Sequence, residues 1–373
     1  MKITCLKENI KKIINIIEKA SSQNPTLPIL KNFLLKKEKD RLYFIATDLE
    51  LAVKSWMDIK TESDEKIETT VPISVFSNFI NNLFEEKINL DIEKNHITIQ
   101  TPNLKTKIQC IEAEDFPIIP KVKKEGSFEI DAEILKNSFE AVMSASSTSL
   151  SRPEISGILL NLSKEEIVLA ATDSFRLAQK TIPAKFFKTQ KNEGVKILIP
   201  LKAVYEFIRI VNIVSPGKYI EVIFDQNQIL FDFYQTQLIS RLINASFPEY
   251  QEIIPSRFNT KVIIEKDKLI SAVKLSSVFS SQINDVKIRI PDNLKNVEIT
   301  TQDASIGENK VFLDGDIEGD GIEIAFNYKY LLDGVKPIRG EKIFIGLNEN
   351  NTPTLIRDKD DKSYIYTLMP IKI

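Results

Sequence analysis

Apolar residues recur at helical spacing in six stretches of the chain and alternate with polar ones through much of what lies between. Ile10, Ile13, Ile14 and Ile17 stand at i, i+3, i+4 and i+7, which predicts an amphipathic helix over 9–20, entered from the strand-like Lys2-Ile3-Thr4-Cys5. The same order returns twice. Phe128-Glu129-Ile130 leads into Leu135, Phe139 and Val142, and Val262-Ile263-Ile264 leads into Leu269, Ala272 and Val273. Each of these helices runs out into small polar residues, at Ala20-Ser21-Ser22, Ala145-Ser146-Ser147 and Ser280-Ser281.

Every copy then passes through β-rich sequence to a second apolar stripe: Phe76, Phe79, Ile80 and Leu83; Val204, Phe207, Ile208 and Val211; Leu331, Gly334, Val335 and Ile338. These second helices open at Val71-Pro72, Ile199-Pro200 and Phe326-Asn327; a proline's missing N–H costs no helical bond in the first turn. Period-two runs such as Ile88-Asn89-Leu90-Asp91-Ile92 and Ile220-Glu221-Val222-Ile223-Phe224 predict antiparallel strands with one buried face. Between the two helices stands a marker, Ala46-Thr47-Asp48-Leu49, then Ala171-Thr172-Asp173-Ser174, and more faintly Thr301-Gln302-Asp303-Ala304. Asp48, Asp173 and Asp303 are expected there as turn residues bonding neighbouring amides. The pattern predicts an α+β chain of three tandem repeats, 1–120, 126–250 and 256–373, joined through Ile119-Pro120-Lys121-Val122-Lys123-Lys124 and Ile254-Pro255-Ser256-Arg257. Sheet edges left open on the first and last repeats invite pairing with another chain, in a ring or a filament.

Composition narrows the function classes. With 373 residues, 43% apolar and 27% charged, the chain reads as a soluble globular protein of two or three domains. No apolar run approaches the ~20 residues of a membrane span, and Lys and Glu interrupt the first twenty residues, so a cytoplasmic protein without membrane contact is expected. Cys5 and Cys110 lack metal or redox spacing and read as small core residues. The single histidine, His96, falls in a strand-like segment, and the chain carries no Gly-rich phosphate loop, metal-ligand motif or Gly-x-Ser-x-Gly elbow. No catalytic residue, metal or cofactor is implied.

A net charge of −2 excludes a globally basic nucleic-acid binder, yet the charge is unevenly placed. The helical stretches 9–20, 73–84, 133–146, 201–213, 266–276 and 327–339 hold twelve basic and six acidic residues, a surplus of six against a deficit of eight elsewhere. If the helices share a surface, Lys11, Lys12, Lys202, Arg209, Lys266, Lys268, Lys274, Lys329, Lys336 and Arg339 would line it as a phosphate-attracting face. No aromatic ladder interleaves with them, so contact with backbone rather than bases is expected.

The whole chain resembles the bacterial sliding clamp family, the beta subunit of DNA polymerase III. The resemblance is carried by Pro25-Thr26-Leu27-Pro28-Ile29-Leu30-Lys31-Asn32, Ala46-Thr47-Asp48-Leu49-Glu50-Leu51, Asp115-Phe116-Pro117, Ala171-Thr172-Asp173-Ser174-Phe175-Arg176-Leu177-Ala178, Phe247-Pro248-Glu249-Tyr250 and Tyr364-Ile365-Tyr366-Thr367-Leu368-Met369-Pro370 with the residues that follow. It implies three tandem DNA-clamp repeats, each with two inner helices and outer antiparallel sheets, closing as a dimeric six-domain ring around double-stranded DNA. It implies a non-catalytic processivity factor, loaded by a clamp loader, that tethers the polymerase III catalytic subunit and other polymerases and repair proteins bearing a clamp-binding peptide.

Carried over by position, the partner-peptide pocket would comprise Ile155, Thr172, Ser174, Phe175, Arg176, Leu177, Pro248, Ile253, Asn327, Tyr330, Thr354, Leu368, Met369, Pro370 and Ile371. The homodimer seam would place Thr106 and Ile108 against Ser277 and Val278. Ser174-Phe175 stands where the family usually has Gly-His, Glu252 where a basic residue is common, and Asn24 where an arginine can touch DNA. The residues alone leave two alternatives open: a scaffold ring that binds only proteins, and a repeat-built enzyme with its site in an interdomain cleft.

Overall fold

The computed structural model describes residues 1–21, 27–60, 66–149, 151–190, 194–214 and 219–372; Ser22, Asn24, Pro25, Thr26 and Ile373 lie outside them. Each expected repeat contributes two helices: α1 (Lys7–Ile17) and α2 (Ile73–Asn82), α3 (Ala132–Val142) and α4 (Leu201–Val214), α5 (Lys266–Ser276) and α6 (Tyr328–Val335). The first helix of each pair tightens into a 3-10 turn, Glu18–Ala20, Met143–Ala145 and Ser277–Phe279. The small polar residues Ser21, Ser146 and Ser280 stop these turns in extended conformation. The α1 stripe is buried as expected, whereas Phe79 and Ile208 are only half-buried, and Ile210 joins Val204, Phe207 and Val211 inside. Helix α6 is shorter than the 327–339 expected: it ends at Val335 with Lys336 as its C-cap, because Pro337 cannot continue the ladder. Arg339 therefore stands beyond the helix.

The chain packs as two compact units. In the first (Met1–Lys136, Phe186–Lys191 and Lys202–Leu242), a nine-stranded sheet runs Phe187–Thr189, Gly126–Asp131, Tyr219–Phe224, Gln228–Asp232, Thr236–Arg241, Leu51–Asp58, Arg41–Thr47, Asn32–Glu38, Glu68–Pro72. A four-stranded sheet, Lys2–Leu6, Lys87–Ile92, His96–Thr101, Leu104–Gln109, completes it. Phe33, Phe44 and Phe76 meet in its core with ring centroids 5.4 to 5.7 Å apart, each fully buried side chain stabilising the fold by about 2 kcal/mol.

The second unit (Asn137–Lys185, Asn192–Leu201 and Ile243–Ile373) has the nine-stranded order Val195–Pro200, Gly157–Leu162, Glu166–Thr172, Arg176–Pro183, Tyr364–Leu368, Thr354–Asp358, Lys342–Leu347, Thr260–Glu265, Asp316–Gly319. Its four-stranded sheet runs Gly307–Leu313, Val297–Asp303, Asp285–Ile290, Ile322–Asn327. Tyr366, fully buried, donates to the Tyr330 carbonyl (2.9 Å) and leaves α6 no room for a side chain at Gly334.

Each nine-stranded sheet is thus built from two successive sequence repeats. The strand that follows a Thr-Asp marker pairs with a strand of the next repeat, Leu51 opposite Ser240 in one sheet and Arg176 opposite Leu368 in the other. The middle repeat divides its strands between the two sheets, which is why three sequence repeats pack as two units.

Candidate functional site

The marker builds its own turn. Thr172 Oγ1 donates to the Arg176 carbonyl (2.7 Å), Asp173 Oδ1 accepts the amides of Phe175 (2.9 Å) and Arg176 (3.0 Å), and Ser174 is held at φ 80°. The first repeat repeats the device: Thr47 Oγ1 donates to the Leu51 carbonyl (2.8 Å), Asp48 Oδ1 accepts from Glu50 (3.1 Å) and Leu51 (2.8 Å), and Leu49 has φ 81°. The third copy is a different turn. Asp303 Oδ1 accepts the Ser305 amide (2.8 Å), the positive φ falls on Gly307, and Thr301 donates instead to the Ser276 carbonyl.

In the second unit this turn aims Arg176. Its Nε donates to Asp173 Oδ2 (2.9 Å), its NH1 to Asp333 Oδ2 (2.7 Å), and its guanidinium lies 4.0 Å from the Tyr330 ring centre. Burial alone would pull the Arg176 pKa down, but Tyr366, Asp333 and Asp173 outweigh it and hold the group charged. Beside it, Leu177 packs in a buried cluster with Leu159, Ala170 and Tyr250, against which Phe247 and Ile254 lie. Tyr250 donates to Gln179 Oε1 (2.9 Å), and burial pushes its phenol up to about 12.

The C-terminal strand closes the other side. Leu368 pairs with both Arg176 and Thr354, the Met369 amide donates to the Phe175 carbonyl (2.8 Å), and Ile371 donates to that of Ala325 (2.8 Å). Met369, Pro370 and Ile371 stay half-buried, while Leu368 is sealed. Phe175 is 61% exposed and Ile253 50%, with Pro248 also exposed, so apolar surface is left over at this spot. Asn327 caps α6 by accepting from the Lys329 (3.0 Å) and Tyr330 (3.4 Å) amides. The buried hydroxyls of Thr354 and Thr367 have no hydrogen-bond partner among the described residues.

Arg176, Leu177, Tyr330, Leu368 and Met369 are therefore brought together, with Thr354 alongside. Ile155 is sealed at 1% exposure in the turn before the strand Gly157–Leu162, its carbonyl bonded to Ser146, and offers no accessible side chain. Residues not foreseen from sequence complete the site. Arg152 NH1 bonds Ser174 Oγ (2.8 Å), Asp333 anchors Arg176, and Tyr250 with Gln179 forms one wall. Only chain-distant contacts reveal them.

The basic helix residues divide into two groups. Arg209 is a structural clasp: its guanidinium binds Glu206 (2.7 Å) and the Asn15 and Ile16 carbonyls, so it is not free for phosphate. Lys266 likewise donates to the Ile338 carbonyl (3.0 Å), Lys268 pairs with Glu265 (2.9 Å) and Lys202 with Asp48. Lys336 lies 4.0 Å from Asp333. Lys11, Lys12, Lys274, Lys329 and Arg339 form no ion pair with described residues, and all but the half-buried Lys11 are exposed.

Thr106, on the edge strand Leu104–Gln109, is half-buried; in the 3-10 turn Ser277–Phe279 after α5, Ser277 is half-buried and Val278 is 63% exposed. Ile108 is 6% exposed: on the strand Leu104–Gln109 it alternates inward, so its side chain serves the sheet's own core. That strand would join a neighbour through its backbone and outward residues. Among the described residues no acidic, histidine or cysteine group is placed to hold a metal ion, and no helix is long and apolar enough to cross a membrane.

Comparison with known proteins places this geometry. Residues 1–120, 129–249 and 251–372 match the N-terminal, central and C-terminal domains of the DNA polymerase III beta subunit family. The chain is 26% identical over 396 residues to the beta sliding clamp of Synechocystis sp. strain PCC 6803, covering 100% of both chains. It is 26% identical over 374 residues to that of Chlamydia muridarum, covering 100% of this chain and 99% of the relative. The crystal structure of the DNA polymerase III beta subunit from Thermotoga maritima superposes with a TM-score of 0.90 at 26% identity, over 100% of this chain and 99% of that one.

Proposed function

Because the chain belongs to the DNA polymerase III beta subunit family, the non-catalytic bacterial sliding clamps, we propose that it closes as a homodimeric ring around duplex DNA and tethers replication enzymes. The segments 1–120, 126–250 and 256–373 are its units of duplication. One observation carries the ring. The middle and last repeats each pair their last sheet strand, Thr236–Arg241 and Tyr364–Leu368, with the strand after the preceding marker. Among the described residues the corresponding strand of the first repeat, Leu104–Gln109, is paired on one side only, and so is Gly307–Leu313 after Asp303 in the last. Two four-stranded half-sheets are thus the separated halves of a third junction, which a second copy completes head to tail. Two such junctions close a ring of six repeats. Thr106, Ser277 and Val278 sit at this seam, with the exposed Phe312 as its largest apolar side chain.

DNA retention is then topological, and the unpaired Lys11, Lys12, Lys274, Lys329 and Arg339 need only weak, exchangeable phosphate contacts. The partner site is the cup around Leu177 and Met369, where Arg176, Tyr330 and Asn327 form a polar rim and Phe175 an exposed wall for an apolar peptide anchor. The polymerase III catalytic subunit, the clamp loader and other polymerases and repair proteins are its ligands, acting in the cytoplasm. The test is the solution mass. A 42.5 kDa chain that closes its seam gives about 85 kDa, and charge introduced in the exposed turn at the seam by Val278→Asp returns it to the monomer. A monomer at micromolar concentration in the unmodified protein would contradict the reading.

A further inference from the structure

The first unit holds a groove in the register of the partner cup. Counting from the marker, Ile45 stands where Ala170 stands, its cross-strand partner Leu34 where Leu159 stands, and Phe116-Pro117 repeats Phe247-Pro248. Leu34, Ile45 and Phe116 form one buried cluster with Tyr43 and Ile119 against it, as Leu159, Ala170 and Leu177 do with Tyr250. Three differences set the first groove apart. Ala52 replaces Leu177, Ile119 replaces Tyr250, and Lys54 replaces the Gln179 that bonds that tyrosine. Leu34, Ile45, Phe116 and Ile119 line a cavity of about 560 Å³ together with Lys54.

Its charge is not balanced from within. Lys36 is taken up by Glu38 (3.0 Å) and Glu68 (3.8 Å). Lys54 is not: its ammonium lies 4.4 Å from the Tyr43 ring centre and forms no ion pair with a described carboxylate. Burial holds its pKa down, and Glu38 and Asp232 act on it only from a distance, against Lys36 and Lys121. Lys121 stands exposed on the rim, three residues after Ile118, which is 93% exposed. A desolvated ammonium beside an apolar floor is stabilised most by a ligand that brings a carboxylate with its hydrophobic anchor.

We propose that this groove is a second peptide-docking site, whose ligand is a short extended segment of a partner protein carrying Leu or Phe side chains beside an acidic residue. The proposal rests on the peptide reading of the cup in the second unit for its class of ligand and on the first unit alone for its site. The chain's single tryptophan supplies a local reporter, because Trp56 lies two residues from Lys54 with its ring centre 5.8 Å from that of Tyr43.

The experiment titrates the full chain with the acetylated peptide Asp-Leu-Asp-Leu-Phe and follows Trp56 fluorescence, with Lys-Leu-Lys-Leu-Phe as its charge-reversed counterpart. A saturable Trp56 change with the acidic peptide is expected, weakened about tenfold or more by Lys54→Gln through loss of a charge-assisted contact. A chain ending at Leu368, which loses the cup, is expected to keep the Trp56 response, so the two sites fail or succeed separately. No Trp56 change up to about 1 mM peptide overturns the proposal, as does an equal response to the lysine peptide or indifference to Lys54→Gln. A peptide-free Trp56 change with protein concentration that Lys54→Gln removes would assign the groove to a second copy instead, and would overturn it too.

Discussion

Replacing Arg176 by alanine tests whether the proposed partner cup is held in shape by one guanidinium. The substitution deletes two charge-assisted bonds, 2.9 Å to Asp173 and 2.7 Å to Asp333, and the stacking contact on Tyr330 at 4.0 Å. A fully buried set of this kind would be worth about 1.5 to 3 kcal/mol per bond. Asp333 keeps 33% of its side chain in solvent and is rehydrated when the arginine leaves, so its share falls toward the surface value of roughly 1 kcal/mol or less. Asp173 is 14% exposed and retains less water, and the ring contact adds about 0.5 to 1 kcal/mol. The net loss is about 2 kcal/mol, which is roughly a 30-fold faster opening. The place to read it is amide exchange over Tyr364–Leu368 and Met369, whose strand pairs directly with Arg176 and whose amide bonds the Phe175 carbonyl. In a cycle with Asp333→Ala the two substitutions should couple by about 0.5 to 1 kcal/mol, and 0.5 M salt should reduce but not erase the effect. Unchanged exchange in this segment, or strict additivity with Asp333→Ala, would show that the guanidinium does not hold the C-terminal strand in place.

Ser174→Gly relieves a side chain held at φ 80° at the cost of one exposed bond to Arg152, so urea unfolding should show a gain of about 0.5 kcal/mol; a loss would contradict the strained turn. Gly334→Ala drives a methyl to 2.3 Å from the Tyr366 ring and should lower stability by about 3 kcal/mol, a cost that urea midpoints measure directly. Tyr250 titrates near 12 when folded against about 10 when unfolded, so the unfolded chain loses its proton first and stability falls as pH rises between those values; Tyr250→Phe should remove that part of the alkaline decline in unfolding midpoints.

Much of this architecture was legible because it is local and periodic. The isoleucines of α1 and the repeated Ser stops after α1, α3 and α5 announced three copies of one unit, and Thr172-Asp173 encoded a turn by short-range bonds. What stayed hidden depends on contacts far apart in sequence. Arg209 read as a phosphate ligand because its charge was visible and its distance to the Asn15 and Ile16 carbonyls was not. Asp333 finds Arg176 across 157 residues. Ile108 could have been placed inward from the alternation of its strand alone, and Arg339 could have been placed past the helix end from Pro337. The division of the middle repeat between two sheets follows from pairing across repeats, which periodicity does not encode.

We propose that encirclement is what holds the chain on DNA. Loaded by a clamp loader onto nicked circular duplex and filtered by size, the protein should elute with the DNA, then be lost when a single cut linearises it. Equal retention on circular and linear DNA would rule encirclement out.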